Sequence, residues 1–242
     1  MAKAVRNIIS IRDKKIVDES KDITIIIPAA GENGHMKSQG PKSLLKIGGI
    51  SIIDRQISLI RERFPRATII LISGYESAKV MNNAPENIIH IENERYNTTH
   101  ISRSIAIGLR ATITKRVLVI YGDLIFNANA LRYNLEDKSL LFVDDSGLMS
   151  ETEIGCVSIN NILEHLVYDM PVKWAQITYF VGNELKLLKE LTTNIANEKL
   201  LGFEIINEII NRGGKFLIAS PENTKVNDID CSKDIEIAEK II

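Results

Sequence analysis

Three short segments of the chain carry side chains suited to phosphate and cation chemistry. The first runs Pro28-Ala29-Ala30-Gly31-Glu32-Asn33-Gly34-His35-Met36 and continues to Pro41-Lys42-Ser43. Its small residues let backbone amides approach an anion, and Lys42 adds a fixed positive charge. The second is Gly122-Asp123 and the third is Asn227-Asp228-Ile229-Asp230 near the C-terminus. A carboxylate from each of these two segments could share one hard cation, since magnesium is typically held by one or two carboxylates together with substrate phosphates. Taken singly, each segment also reads as a turn, a solvated lysine or a helix cap, with Asp230 or Ser232 suited to cap the last helix. Their joint weight comes from position, because each follows an apolar run, and wound sheets bind ligands beyond the carboxyl ends of their strands.

The elements that must position these residues alternate along the chain. Apolar runs at Ile23 to Pro28, Thr68 to Ser73, Asn87 to Ile91 and Arg116 to Tyr121 are separated by amphipathic stretches at Ser51 to Phe64 and His100 to Thr112. Strand alternating with helix implies right-handed βαβ units and a parallel sheet. The stretch from Ser51 is the best-formed helix: Ser51 caps it, Asp54 sits near its positive end, Ile52, Ile53, Ile57, Ile60 and Phe64 share a face, and Pro65 stops it. After Leu140 the rhythm changes. Leu141 to Val143 and Trp174 to Val181 read as strands, and Val157 to Ile159 with Ile162 to Tyr168 as a hairpin around Asn160-Asn161, so this half adds antiparallel strands. Helices at Asn183 to Thr193 and Lys199 to Asn211, strands at Lys215 to Ala219 and Val226 to Asp230, and a last helix capped by Ser232 complete the expectation. Residues 1–22 read as an N-terminal extension and 23–242 as one domain, divided by the change of rhythm into halves at 23–140 and 141–242.

Composition excludes several classes. The 242 residues are 45% hydrophobic and 25% charged, and 30 Lys and Arg against 31 Asp and Glu leave a net charge of -1, which disfavours nucleic acid as partner. No apolar run approaches the ~20 residues that span a bilayer, and the N-terminus lacks a signal peptide's apolar stretch. Cys156 and Cys231 form no paired motif, which fits a reducing compartment and a cytoplasmic location, with both thiols buried as small hydrophobes. A P-loop is excluded because five residues separate Gly34 from Gly40 and Pro41 precedes Lys42. The four histidines lack metal-ligand spacing, and no serine-hydrolase elbow occurs.

The segment IIIPAAGENGHMKSQGPKSLLKIGGISIIDRQI resembles the signature of nucleotidyltransferases that make nucleoside-diphosphate sugars and alcohols, roughly AAGxGxRM followed by PKxLLxxxGxPLI. NERYNTTHISRSIAIGL and the closing VNDIDCSKDIEIAEKI are similar to segments of bacterial choline-phosphate cytidylyltransferases. The resemblance covers roughly residues 23–242 and implies that 23–140 is the nucleotide-binding half and 141–242 the acceptor-binding half. It implies an α/β fold, a Rossmann-like three-layer sandwich with a mixed, mostly parallel central sheet. The activity it implies is Mg2+-dependent transfer of NMP from an NTP, CTP more than another, to a small phosphorylated alcohol, amino alcohol or sugar. The site implied has Ala29, Ala30 and Gly31 holding base and sugar, with Glu32, Asn33, Gly34 and His35 continuing that loop. Lys42 contacts phosphate, Asp123 and Asp230 bind magnesium, Asn93, Thr98 and Ser104 line the pocket, and Lys173 and Asp228 meet the acceptor.

Two residues depart from that pattern. Asn33 stands where the family has a second glycine, and His35 where it has an arginine that grips the triphosphate, with Lys37 on the same loop as a substitute cation. These departures keep open a catalytically weakened nucleotide-binding protein. A glycosyltransferase of related fold is the other alternative, since Asp228-Ile229-Asp230 has its Asp-x-Asp spacing. The hairpin from Val157 to Tyr168 is the candidate surface for a homodimer.

Overall fold

The computed structural model describes residues 22–32, 39–146 and 153–242; Asn33, Gly34, His35 and Lys37, and all but Asp22 of the N-terminal extension, lie outside them. Strand β1 (Ile23–Ala29) alternates strictly: Ile23, Ile25 and Ile27 enter one core and Ile26 the other. That is the pattern of a strand covered on both faces, and each fully buried isoleucine stabilises the fold by roughly 1.5–3 kcal/mol. The short strands β2 (Lys46–Ile47) and β3 (Ile50–Ser51) lead into helix α1 (Ile52–Arg63). As expected, the Ser51 hydroxyl accepts the Asp54 N–H at 3.1 Å, and the helix ends just before Pro65. Then come β4 (Thr68–Ser73), α2 (Ser77–Asn83), β5 (Ile89–Glu92), α3 (Ile101–Arg110), β6 (Arg116–Ile120), β7 (Leu124–Phe126) and β8 (Leu140–Asp144). The second half adds β9 (Ile154–Ile159), β10 (Ile162–Tyr168), β11 (Lys173–Val181), α4 (Gly182–Thr193), α5 (Gly202–Asn211), β12 (Leu217–Ala219), β13 (Val226–Asp228) and α6 (Ser232–Ala238).

One nine-stranded sheet in the order β5-β4-β1-β6-β11-β8-β12-β10-β9 carries strands of both halves. The strands β5, β4, β1 and β6 run parallel, β11 lies antiparallel between β6 and β8, and β12 returns parallel to β8. Residues of α1 pack on one face, and residues of α3, α4 and α5 on the other, giving an α/β fold of three layers with a mixed sheet. The expected hairpin is present: β9 and β10 pair antiparallel, and Asn160 and Asn161 both take the left-handed conformation a tight two-residue turn requires.

Three local expectations are corrected. Helix α5 begins at Gly202 rather than Lys199, where the Glu204 carboxylate accepts the Leu201 N–H at 2.7 Å. The N-cap position of helix α6 is Cys231 rather than Ser232 or Asp230, and the Asp234 carboxylate takes the N–H groups of Cys231 and Asp230 at 2.7 and 2.8 Å. Cys156 is buried, which pushes its thiol up to about 11, but Cys231 is half-buried and not a core residue. Among the described residues no helix is long and apolar enough to cross a membrane.

Candidate active site

The carboxyl ends of β1 and β6 lie side by side, since the two strands pair in register from Ile23 with Arg116 to Ile26 with Val119. Gly122 follows β6 and donates its N–H to the Pro28 carbonyl at 3.0 Å. A Cβ at position 122 would lie 2.4 Å from the Ala29 Cβ, so only glycine lets the two loops approach this closely. Asp123 comes next, on a turn clamped from below by Gln56, whose amide donates to the carbonyls of Tyr121 and Leu124 at 2.9 and 2.8 Å. The same turn leads into β7, which pairs antiparallel with β13 through Leu124 and Asp228. That register, with the Ile229 N–H on the Asp123 carbonyl at 3.1 Å, brings the C-terminal Asp228 to Asp230 segment beside Asp123.

Lys42 completes the cluster from the short 3-10 turn Lys42–Leu44, its ammonium bonding Asp230 Oδ1 and lying 3.4 Å from Asp123 Oδ2. Burial works against the ammonium, but the charges of Asp123 and Asp230 outweigh it and hold Lys42 above the ordinary lysine value. Asp123 is pushed up from the ordinary carboxylate range, chiefly by burial, with Lys42 pulling the other way and Asp228 and Asp230 adding to the rise. Two carboxylates that converge on one cationic atom form a donor set for a cation. Among the described residues no group of three or more His, Cys, Asp or Glu is gathered for a metal. Asp123 and Asp230 are the residues that would hold a hard cation here, with substrate oxygens completing its shell.

Two connected hollows face this cluster. A narrow cleft of about 90 Å³ is lined by Ala29, Gly31, Glu32, Lys42, Gly122 and Asp123. It opens beside a cavity of about 670 Å³ that shares Gly31, Glu32 and Asp123 and extends over Asn93, Tyr96, Ser104, Tyr121, Trp174, Gln176, Asp228 and Asp230. The structure thus brings together Ala29, Ala30, Gly31, Glu32, Lys42, Asn93, Ser104, Asp123, Asp228 and Asp230.

Two expected residues stand elsewhere. Thr98 is exposed, its hydroxyl turned back on the Arg95 carbonyl at 3.3 Å, and Thr99 takes the place on the cavity wall because the tight turn from Arg95 reverses the chain there. Lys173 is only 4% exposed and does not line the cavity; its ammonium is engaged by Glu153 and, at 3.2 Å, by Asp228. Asn93 and Ser104 reach the cavity wall, but the Asn93 amide donates to Thr99 and Ser104 at 3.3 and 3.2 Å, which makes this trio a pin for the wall as much as a ligand contact.

Several site residues escaped sequence reasoning. Gln56 is 1% exposed, and its spacing from Ile52, Ile53 and Ile60 on the apolar face was the available signal. Gln176 had none, being one polar residue in an apolar run. Tyr121 and Trp174 meet edge to face at 5.6 Å between centroids and form an aromatic wall. The Tyr121 hydroxyl is buried without a hydrogen-bond partner, burial pushes it far above the ordinary phenol value, and it lies so close to Gly202 that a side chain there would collide with it. That contact accounts for glycine as the first residue of α5.

The chain spans less than half the length of the curated relatives it matches. It is 29% identical over 201 residues to the bifunctional protein GlmU of Paracoccus denitrificans, covering 78% of this chain and 45% of that one. It is 30% identical over 111 residues to the GlmU of Thermobifida fusca, covering 43% and 23%. Among solved structures, the CTP:phosphocholine cytidylyltransferase of Streptococcus pneumoniae superposes with a TM-score of 0.75 at 16% identity, covering 91% of this chain and 99% of that one. The inositol-1-phosphate CTP transferase of T. maritima gives 0.74 at 17% identity, covering 92% and 96%. At such identities these likenesses concern the fold. The model of the MobA-like NTP transferase domain matches residues 25–145, half of the chain and the half that holds Lys42 and Asp123, and the protein belongs to that NTP transferase family.

Proposed function

We propose that residues 23–242 form one catalytic unit, a magnesium-dependent nucleotidyltransferase that moves NMP from CTP to a small phosphorylated alcohol, amino alcohol or sugar. The observation that carries this reading is the convergence of Lys42 with Asp123 and Asp230 where the narrow cleft meets the large cavity. The cleft suits the triphosphate and the cavity is large enough for nucleoside and acceptor together. CTP is favoured over other triphosphates because two of the structural neighbours are described as using it.

In the reaction an acceptor phosphate oxygen attacks the α-phosphorus in line, the bond from that phosphorus to the bridging oxygen breaks, and pyrophosphate leaves with the electron pair. A phosphate oxygen is already ionised near neutrality, so no general base is required, and catalysis rests on positioning and charge neutralisation. Asp123 and Asp230 would hold magnesium, which neutralises phosphate oxygens when bound. Lys42 neutralises charge developing on the phosphates, and Gln56 keeps the Asp123 turn in place. The Asp-x-Asp alternative is disfavoured because Asp228 is held by Lys173 and Gln176 while Asp230 turns to Lys42, so the two carboxylates serve different partners.

The test is magnesium-dependent pyrophosphate release with each of the four NTPs against phosphocholine, phosphoethanolamine, aminoethylphosphonate and a set of sugar 1-phosphates. Release with CTP and one acceptor is expected. Silence across the panel, with NTP binding still detectable by titration, would leave a binding protein in place of an enzyme.

A further inference from the structure

Seven non-glycine residues among those described have positive φ, and five of them are Asn or Asp in turns or loops, where that conformation is common. Gln176 is different. It lies inside β11 with φ +54°, a conformation a glutamine in a strand does not adopt without a cause. The cause is a bulge. Trp174 pairs with Val143 and Thr178 with Leu141, so β11 carries two more residues than β8 between those pairs. The Trp174 indole N–H spans the bulge to the Thr178 hydroxyl at 3.2 Å, and the Gln176 carbonyl accepts the Tyr121 N–H at 3.4 Å, which pins it on both sides.

The bulge turns the Gln176 side chain onto the cavity wall, where its amide N–H reaches Asp228 Oδ2 at 3.3 Å. Lys173, at the start of the same strand, holds Asp228 Oδ1 at 3.2 Å. The carboxylate is thereby fixed at both oxygens. With one N–H of the amide engaged by Asp228, the pair keeps one N–H donor and several acceptors for a ligand, the Gln176 side-chain oxygen and the remaining lone pairs of the Asp228 carboxylate, so acceptor capacity and negative charge predominate.

We propose that Gln176 is a specificity-determining residue, held in a strained conformation by the β11 bulge so that, with Asp228, it selects acceptors bearing a hydrogen-bond donor, a hydroxyl or an ammonium. The inference rests on the nucleotidyltransferase reading above.

The experiment compares wild type, Gln176→Ala and Gln176→Gly with the acceptor pair found for the wild type. Both variants lose the amide, but only glycine relieves the backbone. The expected result is an acceptor KM raised roughly 10- to 100-fold in both, with kcat and the NTP KM held within about 3-fold. The glycine variant should melt about 2–4 °C above the alanine variant. Acceptor analogues without the hydroxyl or without the ammonium, tried on wild type and variants, tell which donor is read, because the analogue lacking it shows no further loss in the variants. An unchanged acceptor KM in both variants, beside an active wild type, would overturn the assignment alone, and so would an alanine variant at least as stable as the glycine one. A wild type silent with every pair would remove the nucleotidyltransferase reading and this inference with it.

Discussion

Two lysines in this molecule are each set between a pair of carboxylates, and their surroundings send them to different work. Lys42 joins Asp123 and Asp230 at the meeting of cleft and cavity, its side chain 19% exposed and that of Asp230 63% exposed. Lys173 joins Glu153 and Asp228 beneath the cavity wall, its own side chain 4% exposed. Water and ligands can compete for the first ammonium but hardly for the second. On the proposed reading, a lysine and two acids serve as a reactive centre where the cation can exchange partners, and the same group sealed under a wall becomes its foundation.

The difference can be broken by substitution. The largest effect is expected for Asp230→Ala, which should lower turnover about 10³-fold through lost stabilisation of charge on the phosphates, while thermal unfolding stays near wild type because its side chain is mostly exposed. Wild-type turnover in that variant would remove Asp230 from the centre. Next, Lys173→Met should cost about 2–3 kcal/mol in stability, since it removes the cation shared by two carboxylates that are about four-fifths buried. Urea denaturation would show it as a lower midpoint with little change in slope. Lys42→Ala should weaken triphosphate binding roughly 10-fold and leave the unfolding free energy from urea denaturation within about 0.5 kcal/mol of wild type; unchanged binding by titration calorimetry would make Lys42 a surface residue.

The smallest effect concerns alkali. Burial works against the Lys173 ammonium, but Asp228 and Glu153 outweigh it and hold its value above that of an ordinary lysine. A raised value means that the stability from this charge is fully present below the ordinary lysine value of about 10.4 and is lost as pH rises through the folded one. The melting temperature of the wild type should therefore fall more steeply above that pH than that of Lys173→Met, and parallel curves would argue against the pairing.

Much of this arrangement is legible in the sequence. The alternating isoleucines of β1 mark a strand buried on both faces, Ser51 and Pro65 bracket α1, and Asn160-Asn161 marks the hairpin turn, because each is a local preference that the tertiary structure reinforces. Lys42, Asp123 and Asp230 were found by their places after apolar runs and by family resemblance. Their meeting depends on the pairing of Leu124 with Asp228, which local patterns do not display. Gln56 and Gln176 were missed for the same reason. One is polar on a buried helix face because loop carbonyls await it there, and the other owes its conformation to unequal strand lengths between β11 and β8. Lys173 was expected at the acceptor and lies under the wall instead, since a charge inside an apolar strand is settled by the partners that reach it.

The most direct test of the central claim is magnesium-dependent pyrophosphate release by wild type and Asp123→Asn in parallel, the substitution keeping the side chain's shape while removing its charge. Release by the wild type that rises with magnesium, and a variant about 10³-fold slower with unchanged unfolding, is the predicted result. Equal rates in the two proteins, or release by the wild type without a divalent cation, would contradict it.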